Sequence, residues 1–148
     1  SCAVALRILS ATPRSWPRVM SDPLEVHIVA TDREVWQGEA KLVSFETYEG
    51  TIGIMPGHSP LMCMLRDGAV LIRPSEGDDI KAAVHTGFAV VDSGQVVILA
   101  ETAEMASEID VDRAEALLAR AEASEEGPNK IAAVSRAETR LKVVGKIG

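Results

Sequence analysis

The sequence predicts a β + α fold: an N-terminal antiparallel β-sandwich over residues 21–106, followed by a C-terminal antiparallel two-helix hairpin over residues 107–148. Residues 23–100 carry short apolar runs broken by turn residues, with no window of helical period longer than a few residues. Beyond Glu101 the apolar spacing changes to that of a helix face, and Gly127-Pro128 interrupts it once.

In chain order, Leu24, Val26 and Ile28 alternate with Glu25, His27 and Val29 in a first strand. Leu42 and Val43 lead to Phe45 in a second, and Gly50 and Gly53 bracket a very short third. Pro56-Gly57 suits the centre of a type II turn, because proline presets φ and glycine accepts a positive one. Val70 and Ile72 alternate with Leu71 and Arg73, and Gly77-Asp78-Asp79 links that run to the next, residues 82–85. Runs at 88–91 and 96–99 follow, with Asp92-Ser93-Gly94 as a tight hairpin between them. Short strands at this spacing point to a sandwich or barrel, and without repeats a propeller or solenoid is not expected.

Over residues 110–126 the apolar positions Ala114, Leu117, Leu118 and Ala121 form one helical face, with Asp110 as N-cap. Gly127 is expected to cap the C-terminus of that helix, and Pro128 to stand in the first turn of a second, 128–144. The second stripe is Ile131, Val134, Ala137, Leu141 and Val144. In the first helix Asp110, Asp112, Glu115, Glu122, Glu125 and Glu126 outnumber Arg113 and Arg120. In the second, Lys130, Arg136, Arg140, Lys142 and Lys146 face only Glu138, so the two helices are expected to attract.

Composition narrows the function. Aromatic residues are 3% and the net charge is -7, so there is little to stack on bases and a field that repels phosphate backbones; no nucleic-acid partner is expected. No apolar run approaches the roughly 20 residues that cross a bilayer, so direct membrane insertion is not expected. Cys2 and Cys63 form neither a disulfide framework nor a ligand pair, and His27, His58 and His85 lack partners at ligand spacing, so no metal site is expected. There is no phosphate loop, nucleophile elbow, helical zinc motif or dinucleotide fingerprint, hence no catalytic residue and no required cofactor. Residues 1–20 hold Arg7, Arg14 and Arg18 and no acid before Met20. They read as translation from an upstream start, with Met20 as native initiator, or as an organellar targeting segment.

The run Gly53-Ile54-Met55-Pro56-Gly57-His58-Ser59-Pro60-Leu61 resembles the Gly-Ile-Leu-Pro-Gly-His-x-Pro-Leu signature of F-type ATP synthase epsilon subunits, with Met in place of Leu. Trp36-x-Gly38-Glu39-Ala40, Gly87-Phe88, Val97-Ile98-Leu99-Ala100-Glu101 and Ser107-Glu108-Ile109-Asp110 follow the same family in order, over residues 24–141. The resemblance implies a non-catalytic subunit, peripheral on the cytoplasmic side of the cell membrane. Its sandwich would dock on the gamma subunit and the c-ring, coupling proton flow to ATP synthesis. The hairpin would fold against the sandwich or extend toward the alpha and beta subunits and oppose ATP hydrolysis. A stand-alone nucleotide-binding regulatory module and an organellar homologue are the alternatives.

Ile109-Asp110-Val111-Asp112-Arg113-Ala114 resembles the Ile-Asp-x-x-Arg-Ala motif with which some bacterial epsilon subunits bind ATP. The resemblance thus implies ATP as a regulatory ligand, held by Ile109, Asp110, Arg113, Ala114 and Arg120, with Arg136 and Arg140 as the arginine pair of the second helix. Physical reasoning supports the arginines independently. In an antiparallel hairpin turning near Gly127 the four guanidinium groups are expected to converge, and Arg136 and Arg140 form a repulsive i, i+4 pair with no carboxylate three or four residues away.

Overall fold

The computed structural model describes residues 22–146, and the basic arm at 1–20, with the expectations attached to Met20, lies outside the described residues. The strands are β1 Leu24–Ala30, β2 Glu34–Thr47, β3 Gly50–Ile54, β4 Leu61–Leu65, β5 Gly68–Pro74, β6 Ile80–Asp92 and β7 Gln95–Met105. A 3₁₀ turn, Ala106–Glu108, leads to helices α1 (Val111–Glu122) and α2 (Pro128–Val143).

The seven-stranded sheet folds over on itself, since β1 pairs with both β2 and β7 while β5 joins β2 to β6. Every ladder is antiparallel except β1–β7, which runs parallel from Glu25↔Gln95 to Ala30↔Ala100. Closure brings together two strands distant in sequence, a pairing that local pattern does not encode.

Bending is built into the three long strands. A regular strand buries residues of one parity. In β2 the core residues change phase from Ala40 to Val43 and Phe45, where the ladder to β5 is irregular. In β6 they change from Ala82 and Val84 to Ala89 and Val91, and in β7 from Ala100 to Ala103. Runs 82–85 and 88–91, read separately from sequence, are therefore one strand, bent at Thr86 with φ 52°. Such slips turn a sheet around a corner and enclose a core, here aliphatic apart from Phe45.

The turns follow their residues. Ser93 (φ 49°) and Gly94 (φ 80°) are both left-handed, as a type I′ hairpin requires, and His58 N donates to Met55 O at 3.2 Å across Pro56-Gly57.

The hairpin departs from expectation at its corner. α1 stops at Glu122, four residues early, where Ser124 Oγ donates to the Ala121 carbonyl at 2.6 Å. Extending it would set Glu125 and Glu126 at the negative end of the helix dipole. Gly127 caps α2 at its N-terminus instead, with φ 151° and ψ -179°, a conformation essentially reserved for glycine. Ile131, expected in the apolar stripe, is 69% exposed. No ion pair joins α1 to α2 among the described residues; Lys130 pairs with Glu126 and Arg140 with Glu104. Alanine packing (Ala114, Ala121, Ala137) with Leu141 joins the helices in place of direct charge pairing.

Asp110 Oδ1 accepts from Arg113 N at 3.1 Å, the bond of an N-cap. Asp110→Ala is expected to lower stability by about 1 kcal/mol, and Asp110→Asn to retain most of it, in urea denaturation of the full chain.

Candidate functional site

On β6, Ala82 and Val84 point into the core, so Ala83 and His85 point outward, and the hairpin covers them. The apolar part of this seam is small: Ala83, Ile109 and Val143 are buried together, with Ala69, Ala106 and Val144 beside them. Polar contacts complete it. Arg140 Nε donates to Glu104 Oε1 at 2.6 Å, and Ser135 Oγ donates to Asp67 Oδ2 at 3.1 Å while Thr86 N donates to Asp67 Oδ1 at 3.1 Å. The last bond holds the bend of β6 in place.

At one end of the seam a cavity of about 200 Å³ is lined by Glu104, Glu108, Asp110, Arg113, Ala114, Leu117 and Arg140. Arg113 enters from the first turn of α1 and Arg140 from the last turn of α2. Ile109 is buried next to them, whereas Arg120 and Arg136 are exposed and outside the lining. Two guanidinium groups converge here, not the four expected from hairpin symmetry. The early end of α1 leaves Arg120 in its last turn beside the corner, and Arg136 lies one turn back along α2, near His85.

Charges within the cavity are largely spoken for. Glu104 holds Arg140, and Arg33 Nη2 from the β1–β2 turn holds Glu108 at 3.0 Å. Asp110 caps α1. Among the described residues Arg113 makes no ion pair, so the cavity presents one uncommitted cation. Glu104 and Arg33 escaped sequence reasoning because their partners lie 36 and 75 residues away, beyond any local spacing rule.

The other outer face of the sandwich is apolar and open. Met64 stands opposite Phe88 on β6, Phe88 opposite Leu99 on β7, and Leu99 opposite Val29 on β1, one row across the sheet. Met62 and Met64 are each 70% exposed, Phe88 37%, and Met55 in the Pro-Gly turn 63%. Met64, Phe88, Leu99 and Val29 line a groove of about 300 Å³. Apolar side chains massed on one exposed face mark an interaction surface. His58, in the same turn as Met55, is exposed and directs Nδ1 to the Ser59 carbonyl at 2.6 Å.

The family described as ATP synthase, Delta/Epsilon chain, beta-sandwich domain matches residues 23–106. The ATP synthase epsilon chain of Streptomyces avermitilis is 47% identical over 125 residues, covering 84% of this chain and 98% of that one. The chain belongs to the ATP synthase epsilon-chain family. Another member, from Nocardia farcinica, is 52% identical over 104 residues, covering 70% of this chain and 80% of its own. Among solved structures, a chain of the Euglena gracilis mitochondrial ATP synthase, OSCP/F1/c-ring in rotational state 1, superposes with a TM-score of 0.68 at 21% identity, over 96% of this chain and 90% of that one. At that identity the likeness shows the fold: a seven-stranded sandwich followed by two helices. As an epsilon chain, the protein is a structural and regulatory subunit of the synthase and not a catalytic one.

Proposed function

We propose that this chain is a rotor subunit that docks on the gamma subunit and the c-ring through its sandwich, and that its hairpin is an ATP-responsive latch regulating hydrolysis. Two structural neighbours come from assemblies described by a c-ring or a central stalk, which supports the docking partners. The observation that carries the latch is the cavity shared by β7, α1 and α2, where Arg113 and Arg140 face one space. A triphosphate bridging them would tie both helices to each other and, through Ile109 and Val143, to the sandwich. It favours the compact state only by binding that state more tightly. Released, the hairpin extends toward the alpha and beta subunits and opposes hydrolysis. These partners hold the protein peripherally on the cytoplasmic side of the membrane; among the described residues no helix is long and apolar enough to cross it.

ATP must remodel the site. A cavity of about 200 Å³ lies below the usual 300–1,000 Å³ of ligand pockets, and Arg140 already gives its Nε–H to Glu104, which competes with a phosphate for that guanidinium. Glu104 thus occupies in the empty latch the guanidinium that phosphate takes in the filled one. Arg120 and Arg136, exposed and without ion pairs among the described residues, are available to close on the ligand.

Calorimetric titration of the full chain with ATP tests this. Saturation at about 100 times the dissociation constant should stabilise the wild type by roughly 2.7 kcal/mol. Arg140→Ala should weaken binding on the order of tenfold or more, the loss of a charge-assisted bond of ~1.5–3 kcal/mol. Without ATP the same substitution should cost up to about 1 kcal/mol of hairpin docking, because the Glu104 pair outweighs the relief of repulsion from Arg136. No heat up to millimolar ATP, with an unmoved melt, would remove the ATP site and leave the family assignment standing.

A further inference from the structure

His85 is 2% exposed and neither ring nitrogen finds a hydrogen bond, yet it does not belong to the hydrophobic core of the sandwich. It shares the outward parity of Ala83 on β6 and lies in the seam beneath α2. Asp67 Oδ2 on the β4–β5 turn is 3.9 Å from Nδ1, too far for a hydrogen bond, and accepts instead from the Ser135 hydroxyl of α2. The other charges facing the ring are Glu104 on β7 and Arg136 and Arg140 on α2. The hairpin thus seals a neutral imidazole between a carboxylate and two guanidinium groups, with neither ring nitrogen hydrogen-bonded.

We infer that docking of the hairpin is linked to deprotonation of His85, so that acidification releases the latch. Burial, and then the charge of Arg140, hold His85 down at about 4 in the docked state, with Arg136 adding to the depression and Asp67 and Glu104 opposing it. Lifting the hairpin admits water and removes both arginines, returning the ring toward the ordinary value near 6.5. The undocked state therefore binds the extra proton. Docking is at full strength above about pH 6.5 and weakens as pH falls from there toward 4. Between pH 7 and pH 5 the undocking constant rises on the order of tenfold to twentyfold, in a range where ordinary carboxylates remain ionised.

Hairpin release, as proposed above, is what the proton would drive; ATP binding is not needed for it. Hydrogen exchange of the full chain at pH 7 and pH 5, corrected for intrinsic exchange rates, should show protection of α1 and α2 falling about tenfold or more relative to the sandwich core. In His85→Gln, which stays neutral, that ratio should not change with pH. Histidine ring NMR gives a second measure independent of any variant: in the docked wild type His85 should stay neutral to below pH 5, with His27 and His58 followed in the same spectra. A His85 midpoint near 6.5 while the hairpin remains docked overturns the switch, as does a hairpin response that persists in His85→Gln. Hairpin protection as high as that of the sandwich at both pH values removes the latch as well.

Discussion

Gly87→Ala is expected to destabilise the sandwich by about 3 kcal/mol, the upper end of ordinary overpacking costs. A Cβ at this position would overlap the carbonyl oxygen of Leu99 and approach Ala100 Cα to 2.9 Å. Both obstacles are backbone atoms of β7, the strand paired with β6 through ten residue pairs from Ala82↔Met105 to Asp92↔Gln95, so no side-chain rotation relieves them. Gly87 also follows Thr86, where β6 changes face, and without a side chain it lets the two strands approach closely at the bend. Gly38 and Gly68 offer a contrast. An added Cβ there meets the Trp36 ring and the Glu46 carboxylate, side chains rather than backbone, and should cost less. Urea denaturation at equilibrium compares the three; a loss at Gly87 within about 0.5 kcal/mol would mean that β7 yields at the bend.

Much of this architecture is written in local spacing. Asp110, Pro128, Ser93-Gly94 and the Pro56-Gly57 turn each act through their own backbone or that of a near neighbour, and each is found where the pattern puts it. The parallel β1–β7 ladder and the closure of the sheet are not local, and neither is the pairing of Arg140 with Glu104. The helix corner was misjudged because glycine serves either cap, and the choice was made by Ser124 and by two acids that a helix C-terminus disfavours. Of the residues brought to the cavity, Asp110, Arg113, Ala114 and Arg140 were legible as motif. The acids that neutralise the site when empty were not, because they come from β7 and the 3₁₀ turn. His85 was legible only as a strand histidine; its burial under α2 depends on where the hairpin lands.

Met64→Asp and Phe88→Asp, introduced separately, are each expected to weaken binding to the gamma subunit by roughly thirtyfold or more while leaving the fold intact. Met64 is 70% exposed, so Met64→Asp neither opens a cavity nor buries a charge in the free protein; Phe88, at 37%, gives up some packing on the sheet face when replaced. They are directly opposed across β4 and β6, and Leu99 and Val29 continue the row along the same groove, so Phe88 lies within the apolar row and Met64 forms its β4 end. A large apolar side chain that anchors an interface costs about 2 kcal/mol or more when removed, and a carboxylate forced into a dry contact adds its desolvation to that loss. Two kcal/mol is close to a factor of thirty in affinity. The double substitution is the poorer test, because like charges facing each other on neighbouring strands would also strain the sheet. Ile131→Asp supplies the control: that side chain is equally exposed at 69%, but it lies on α2, away from the apolar row. Binding of purified gamma subunit, measured alongside circular dichroism melts, separates the outcomes. If Met64→Asp and Phe88→Asp melt like the wild type and bind gamma with undiminished affinity, the rotor docks elsewhere on the sandwich. If Ile131→Asp alone loses binding, the hairpin and not the sheet carries the contact.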